Sequence, residues 1–243
     1  MFYRIGNLVI RSPHSIRRPK TGENCLVLKT SRSFPPAHAS TKAALTILYR
    51  LEIKKGARIL DIGCGSGILG LAAALRTNGT AMGCDIWMGS IRASMQNTAL
   101  NRMQGRFHLF CGSSDAVSGA FNLVLANLQF PVHARMFDHY RRLLPQENDL
   151  LVVSGFYDVH AAHIEKELVQ RGFSVTEQAK VHASAAALTE ECSDTWVGAE
   201  ESLRPLQNLP FCSISVSDSI FNPRNTLCIH IVKNFVFLDL KQK

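Results

Sequence analysis

Long apolar runs are missing from this chain of 243 residues. Segments such as 68–69 and 71–75, split by Gly70, fall far short of the roughly 20 apolar positions that span a bilayer. Arg4 and Arg11 interrupt the N-terminal apolar stretch and no small-residue cleavage site follows, so no signal peptide is expected. Paired cysteines are missing too. The seven present (Cys25, Cys64, Cys84, Cys111, Cys192, Cys212, Cys228) are scattered and form no C-x-x-C, which argues against a disulfide framework or a zinc site and for reduced thiols in the cytoplasm. No metal is expected. With nine Pro and sixteen Gly, 46% apolar and 19% charged residues, the chain is neither disordered, collagenous nor coiled-coil.

Acid is scarce at one end. Residues 1–60 hold twelve Lys and Arg against only Glu23 and Glu52, a net of +10, while residues 61–243 are slightly acidic at −2. Arg17, Arg18 and Lys20 crowd one short loop. Such asymmetry suits a polyanionic neighbour such as RNA or a ribosomal surface, or simply a solvated basic face.

Three parts are read along the chain: a small basic β preamble (1–35), an α/β domain (36–200) and a C-terminal extension (201–243). Stretches 2–11 and 24–29 read as two short strands. Ser33-Phe34-Pro35-Pro36-Ala37-His38-Ala39-Ser40-Thr41 is a loop ending in helix-capping residues, and Ala44, Ile47, Leu48 and Leu51 mark one face of a helix that starts near Ser40. From residue 57, apolar strands at 58–62, 80–85, 107–111, 121–126, 149–154 and 172–177 alternate with helices at 67–76, 88–102, 132–144 and 157–171. That alternation predicts an α/β fold, a doubly wound and mostly parallel sheet covered on both faces. Two later patterns, 212–216 and 227–232, compete to complete it.

The chemistry concentrates in Asp61-Ile62-Gly63-Cys64-Gly65-Ser66-Gly67, a strand end, a glycine-rich turn and a helix start. Glycines let a ligand approach the backbone without Cβ interference. A dinucleotide fingerprint can be drawn through Gly65, Gly67 and Gly70, but Gly70 lies a turn inside the helix. An acid at the strand end suits S-adenosylmethionine better, because that cofactor carries cationic groups and no phosphate. Asp85, 22 residues after Gly63, is placed to accept hydrogen bonds from ribose hydroxyls of either cofactor. Ile86 and Trp87 would then lie beside the adenine, with Trp87 stacking on it or simply packing.

The stretch 61–69 resembles motif I of class I S-adenosylmethionine-dependent methyltransferases. Further matches narrow the resemblance to the bacterial ribosomal protein L-eleven methyltransferases: His38, Ser40 and Thr41 in the preceding loop, Val124-Leu125-Ala126-Asn127-Leu128, Ser154-Gly155-Phe156 and Gly172-Phe173. The similarity covers roughly residues 3–178 and starts where the family's separate N-terminal domain ends. Phe34-Pro35-Pro36-Ala37 stands where the family has F-G-T-G, and Pro145-Gln146-Glu147-Asn148 where it has P-G-G. The resemblance implies that Thr41, Asp61, Gly63, Gly65, Gly67, Asp85, Ile86 and Asn127 bind the cofactor. It also implies that Asn127 is catalytic, its carbonyl accepting a hydrogen bond from the acceptor amine. His38 is either a further acceptor contact or a loop residue, and His133 is structural.

Three functions follow: an N-methyltransferase of a protein amine, of the ribosomal protein L-eleven kind; a methyltransferase of RNA or a small molecule; or a non-catalytic module retaining the fold.

Overall fold

The computed structural model describes residues 1–29, 38–182 and 226–234, the stretches 177–182 and 226–234 as backbone only. The chain opens with three short strands, β1 (Phe2–Ile5), β2 (Leu8–Arg11) and β3 (Asn24–Val27), then α1 (Ala39–Arg50). There follow β4 (Arg58–Ile62), α2 (Ile68–Thr77), β5 (Thr80–Asp85), α3 (Met88–Leu100), β6 (Phe107–Cys111) and β7 (Leu123–Asn127). The remainder is α4 (Phe130–His133), α5 (Phe137–Leu143), β8 (Leu150–Tyr157), α6 (Ala161–Gln170), β9 (Phe173–His182) and β10 (Thr226–Asn234).

Seven strands form one sheet in the order β6-β5-β4-β7-β8-β10-β9. All neighbours from β6 to β8 are parallel, and β10 runs antiparallel to both strands that flank it. The expected doubly wound, mostly parallel architecture is present. Of the two C-terminal patterns, the one at 227–232 enters the sheet; 212–216 lies outside the described residues.

Both faces of the sheet are buried, so period-2 alternation sorts side chains between two cores rather than between core and water. Ile59, Leu123, Leu125, Leu150 and Val152 join α1, α2 and the small N-terminal sheet in one core. Leu60, Ile62, Val124, Ala126, Leu151 and Val153 join α5 and α6 in the other. Asp61 shares the parity of Ile59 and lies opposite Gly83 in the register of β4 and β5, so Asp61 and Asp85 fall on one face.

Several local readings are corrected by long-range pairing. The stretch 2–11 is a hairpin, turning at Gly6 with φ +55° and pairing Ile5 with Leu8. Strand β8 runs to Tyr157 and β9 to His182 because β10 pairs with each along its length, a partner that local periodicity does not reveal; α6 therefore starts at Ala161, not 157. The helix expected over 132–144 is two, α4 and α5. The cap of α1 is His38, whose Nδ1 accepts the Ser40 amide at 3.2 Å, rather than Ser40 itself.

Helix α3 ties the small sheet to the large one. Asn97 Oδ1 accepts Lys29 N at 2.8 Å, and Asn101 both accepts from Val27 N and donates to Val27 O at 2.8 Å. No helix among the described residues is long and apolar enough to cross a membrane.

Candidate active site

Strand order reverses between β4 and β7, and doubly wound sheets receive their ligands outside the carboxyl ends of the strands at such a point. The backbone after Ile62 turns through Gly63, Gly65 and Gly67, all with φ between +53° and +79°, a region costly for residues with a Cβ. At Gly63 a Cβ would also collide with Leu128, and at Gly67 it would come 2.8 Å from Ser94 Oγ. Gly63 and Cys64 donate to Cys84 O at 2.9 and 3.0 Å, which hangs the loop on the end of β5.

Asp85 closes β5. One carboxylate oxygen accepts Gly65 N at 3.0 Å and the other accepts Trp87 N at 2.9 Å. Asp85 thus shapes the loop and the turn into α3 while each oxygen retains a lone pair for a ligand. Ile86 and Trp87, beside it, are 71% and 54% exposed, unusual for large apolar residues.

Asp61 lies beneath the loop, fully buried, its Oδ2 accepting Gly70 N at 2.8 Å. It anchors the start of α2, and Gly70 is needed there because a Cβ would press on Phe107 and the Asp61 carboxylate. That packing role explains the third glycine of the apparent dinucleotide pattern. Burial pushes the Asp61 carboxyl up to about 7, the Gly70 amide opposes this, and the Asp85 charge adds to it.

On the other side of the switch point, Asn127 ends β7. Its Nδ2 donates to Thr41 Oγ1 at 3.3 Å and its Oδ1 accepts from Ser154 Oγ at 3.0 Å. The expected acceptor-facing carbonyl therefore already holds one hydrogen bond and keeps one lone pair. Thr41, Asn127, Ser154 and Leu128 converge here, and Gly155 with φ +90° permits it: a Cβ there would lie 2.7 Å from Asn127 Oδ1.

His38 faces its own helix as a cap, with Ser40 Oγ 2.6 Å from Nδ1. His133 is fully buried against Tyr140 and Ser154 O, and burial lowers it to about 4, so it is a neutral framework residue, as expected. Burial pushes the Cys64 thiol up and keeps it protonated, so it is no nucleophile. Among the described residues no group of three or more His, Cys, Asp or Glu converges as a metal site.

Sequence reasoning missed the supports supplied by α3. Ser94 Oγ donates to Gly65 O and Asn97 Nδ2 to Ser66 O, each at 2.9 Å. Their signal was available: Ser90, Ser94, Asn97, Thr98 and Asn101 repeat at helical spacing on a face whose first four are buried, where apolar residues are the rule. Ser154 was quoted only as part of a motif, with no role attached.

The fold is the Rossmann-like methyltransferase fold. A ribosomal protein L11 methylase from Lactobacillus delbrueckii subsp. bulgaricus superposes with a TM-score of 0.66 over 94% of both chains, at 19% identity. The family model for ribosomal protein L11 methyltransferase (PrmA) matches residues 4–187, well over half of the sequence, and the chain belongs to that family. Ribosomal protein L11 methyltransferases of Helicobacter acinonychis and Campylobacter jejuni subsp. doylei are 30% and 31% identical over 58% and 60% of this chain. The chain spans about half their length, 42% and 51% respectively.

Proposed function

We propose that this protein is an S-adenosylmethionine-dependent N-methyltransferase acting on amino groups of a protein, of the ribosomal protein L11 kind. The observation that carries the reading is the meeting of two half-sites at one switch point: the Gly63–Gly67 loop with Asp85, and the Asn127 amide held between Thr41 and Ser154. The residues fit the cofactor. Asp85 offers carboxylate lone pairs to ribose hydroxyls, Ile86 and Trp87 offer apolar surface to adenine, and the glycine loop leaves room for close approach. Asp61, beneath the loop, anchors it through Gly70 N, and a cationic amino acid end nearby would favour its ionised form.

When bound, S-adenosylmethionine supplies a methyl group on a sulfonium, which an amine takes by in-line displacement. The protein's task is placement and exclusion of water, worth about 7–11 kcal/mol in well-oriented systems. Asn127 Oδ1 uses its second lone pair to receive an N–H of the acceptor and aim the nitrogen lone pair. The amine must arrive neutral, and a site that disfavours a second cation beside the sulfonium lowers its pKa. Asn127 followed by Leu128 lacks the N-P-P-[YF] run that grips planar amides or adenine, which favours an aliphatic amine. A cytoplasmic setting follows from the substrate.

The test is incubation of the protein with isotope-labelled donor and a cell extract, followed by mass spectrometry. Label on lysine or an N-terminal amine of a ribosomal protein supports the reading. Label on RNA or a small molecule replaces the substrate class, and no transfer despite donor binding favours a non-catalytic module.

A second partner is supported by the basic N-terminal sheet. Residues 1–29 carry Arg4, Arg11, Arg17, Arg18, Lys20 and Lys29 against Glu23 alone. Glu23 is engaged by Arg4 at 2.8 Å, and the guanidinium carbons of Arg4 and Arg17 lie 4.8 and 5.4 Å from the Phe2 ring centroid. Exposed Arg17, Arg18 and Lys20, with Arg17 over the Phe2 ring, suit an RNA backbone near the protein substrate.

A further inference from the structure

We propose that Ser154 is a positioning residue: its buried hydroxyl selects which end of the Asn127 amide faces Thr41 and so sets which atom meets the methyl acceptor. The effect on catalysis rests on the function proposed above; the effect on the amide does not.

A primary amide has two ends of nearly equal shape, and a half-turn exchanges acceptor for donor. Thr41 and Ser154 are both hydroxyls, able to donate or accept, so hydrogen-bond distance alone does not choose the orientation. Burial does. Ser154 is 1% exposed, and its described hydroxyl partner is Asn127 Oδ1 at 3.0 Å. Turning the amide over would point an N–H at Ser154 Oγ and strand the serine proton in a dry site, at the full desolvation penalty of that group. Thr41 is less buried, and after accepting Nδ2–H it keeps its own proton for a ligand. The hydrogen bonds thus run in one direction, from Ser154 through Asn127 to Thr41, each polarising the next.

Ser154 is itself held on two sides. It is the register partner of Asn127 between β7 and β8, and its carbonyl accepts Leu128 N at 2.9 Å and His133 Nε2 at 3.0 Å. A carbonyl only accepts, so His133 carries its proton on Nε2, and the neutral ring offers Nδ1 to the Tyr140 hydroxyl at 2.8 Å. This fixes the backbone from which the Ser154 hydroxyl points. Gly155 then lets β8 come close enough to Asn127 for the contact to form.

The experiment uses the full chain in two arms. In the first, the Asn127 side-chain amide is followed by nitrogen-15 NMR, identified by its loss in Asn127→Ala. Ser154→Ala is expected to speed exchange of those amide protons about tenfold or more, and Ser154→Thr, which keeps the hydroxyl, to reverse most of that. In the second arm, Ser154→Ala is expected to lower turnover about fivefold or more while donor affinity stays within about twofold, and to cause no further loss in an Asn127→Ala background. An unchanged Asn127 amide in a folded Ser154→Ala protein overturns the proposal, as does an equal turnover loss with and without Asn127. Absence of any methyl transfer by the unmodified protein would count against the proposed function instead, and the NMR arm would still decide the role of Ser154.

Discussion

Asp85 spends both of its oxygens on the backbone, at Gly65 and Trp87, before any ligand arrives. Asp85→Ala therefore removes the proposed ligand contact and two loop restraints at once, and donor affinity measured by calorimetry is expected to fall by about 1.5–3 kcal/mol, the range for hydrogen bonds to a charged group. Asp85→Asn, which keeps one carbonyl, is expected to fall between the two proteins; an affinity untouched by Asp85→Ala would remove Asp85 from the ribose site. Asn127 acts at a different stage. Asn127→Ala is expected to lower turnover about tenfold to a thousandfold and donor affinity much less, since in the proposed mechanism its second lone pair serves the acceptor. Equal losses in the two measurements would make it a cofactor ligand only. These positions were legible because the end of a parallel strand encodes where a side chain goes: Asp85 and Asn127 close their strands, and Asp61 stands one residue before the end of its own. The orientation of the Asn127 amide was not, since it depends on Ser154, 27 residues later on the neighbouring strand. Asp61 was legible as an acid beside the glycine turn, but its engagement with Gly70 appears only when α2 folds back over β4.

At the scale of elements, what the sequence could not reveal was whatever a distant segment decides. The strands from β4 to β8 were readable as apolar runs because both faces of the sheet are covered, while the full lengths of β8 and β9 required β10 from the far end of the chain. The break between α4 and α5 left no trace in the apolar pattern over 132–144. Tight packing between elements is where substitution should bite hardest. Gly79 joins α2 to β5 so closely that a Cβ would strike the Ala57 carbonyl and come 2.9 Å from Ala57 N, which are backbone atoms and have little freedom to yield. Gly79→Ala is expected to destabilise the fold by about 1–3 kcal/mol or more, in the range for overpacking, with a lower urea midpoint and an unchanged m-value. A midpoint equal to that of the unmodified protein would mean that the turn opens freely, contrary to its hydrogen bonds to Ala74 O and Ala57 O.

For the whole molecule, two buried groups set opposing pH dependences. Asp61 is raised to about 7 from an ordinary value near 3.9, so between those limits the native state holds the extra proton and stability falls as pH rises. His133 is lowered to about 4 from near 6.5, so between those limits the unfolded state holds the extra proton and stability rises with pH. Asp61→Asn keeps an acceptor for Gly70 N and abolishes the first effect. Relative to the unmodified protein its stability is expected to gain on the order of 1 kcal/mol per pH unit between pH 4.5 and 6.5, read from urea midpoints; parallel pH profiles would mean that Asp61 is ionised in the folded state. The remaining whole-molecule property is the +10 of residues 1–60 set against −2 elsewhere. If the exposed loop residues Arg17, Arg18 and Lys20 each meet a phosphate, their contribution to binding is release of counterions, which for single-stranded RNA gives about −0.7 in the slope of log K against log salt per contact. Replacing all three with Glu is then expected to flatten that slope by about 2 and to weaken binding most at low salt. A fluorescent RNA titrated at a series of salt concentrations reads both quantities. The three side chains are exposed, so the fold should survive with the thermal midpoint lowered only by loss of the Arg17 contact with Phe2 and of the Lys20 charge near Glu23, and methyl transfer to a free protein acceptor should continue, because Asp85 and Asn127 are untouched. A slope unaltered by the triple substitution would sink the RNA contact. A loss of transfer to the protein acceptor, with RNA binding unchanged, would show instead that this basic face grips an acidic surface of the protein substrate.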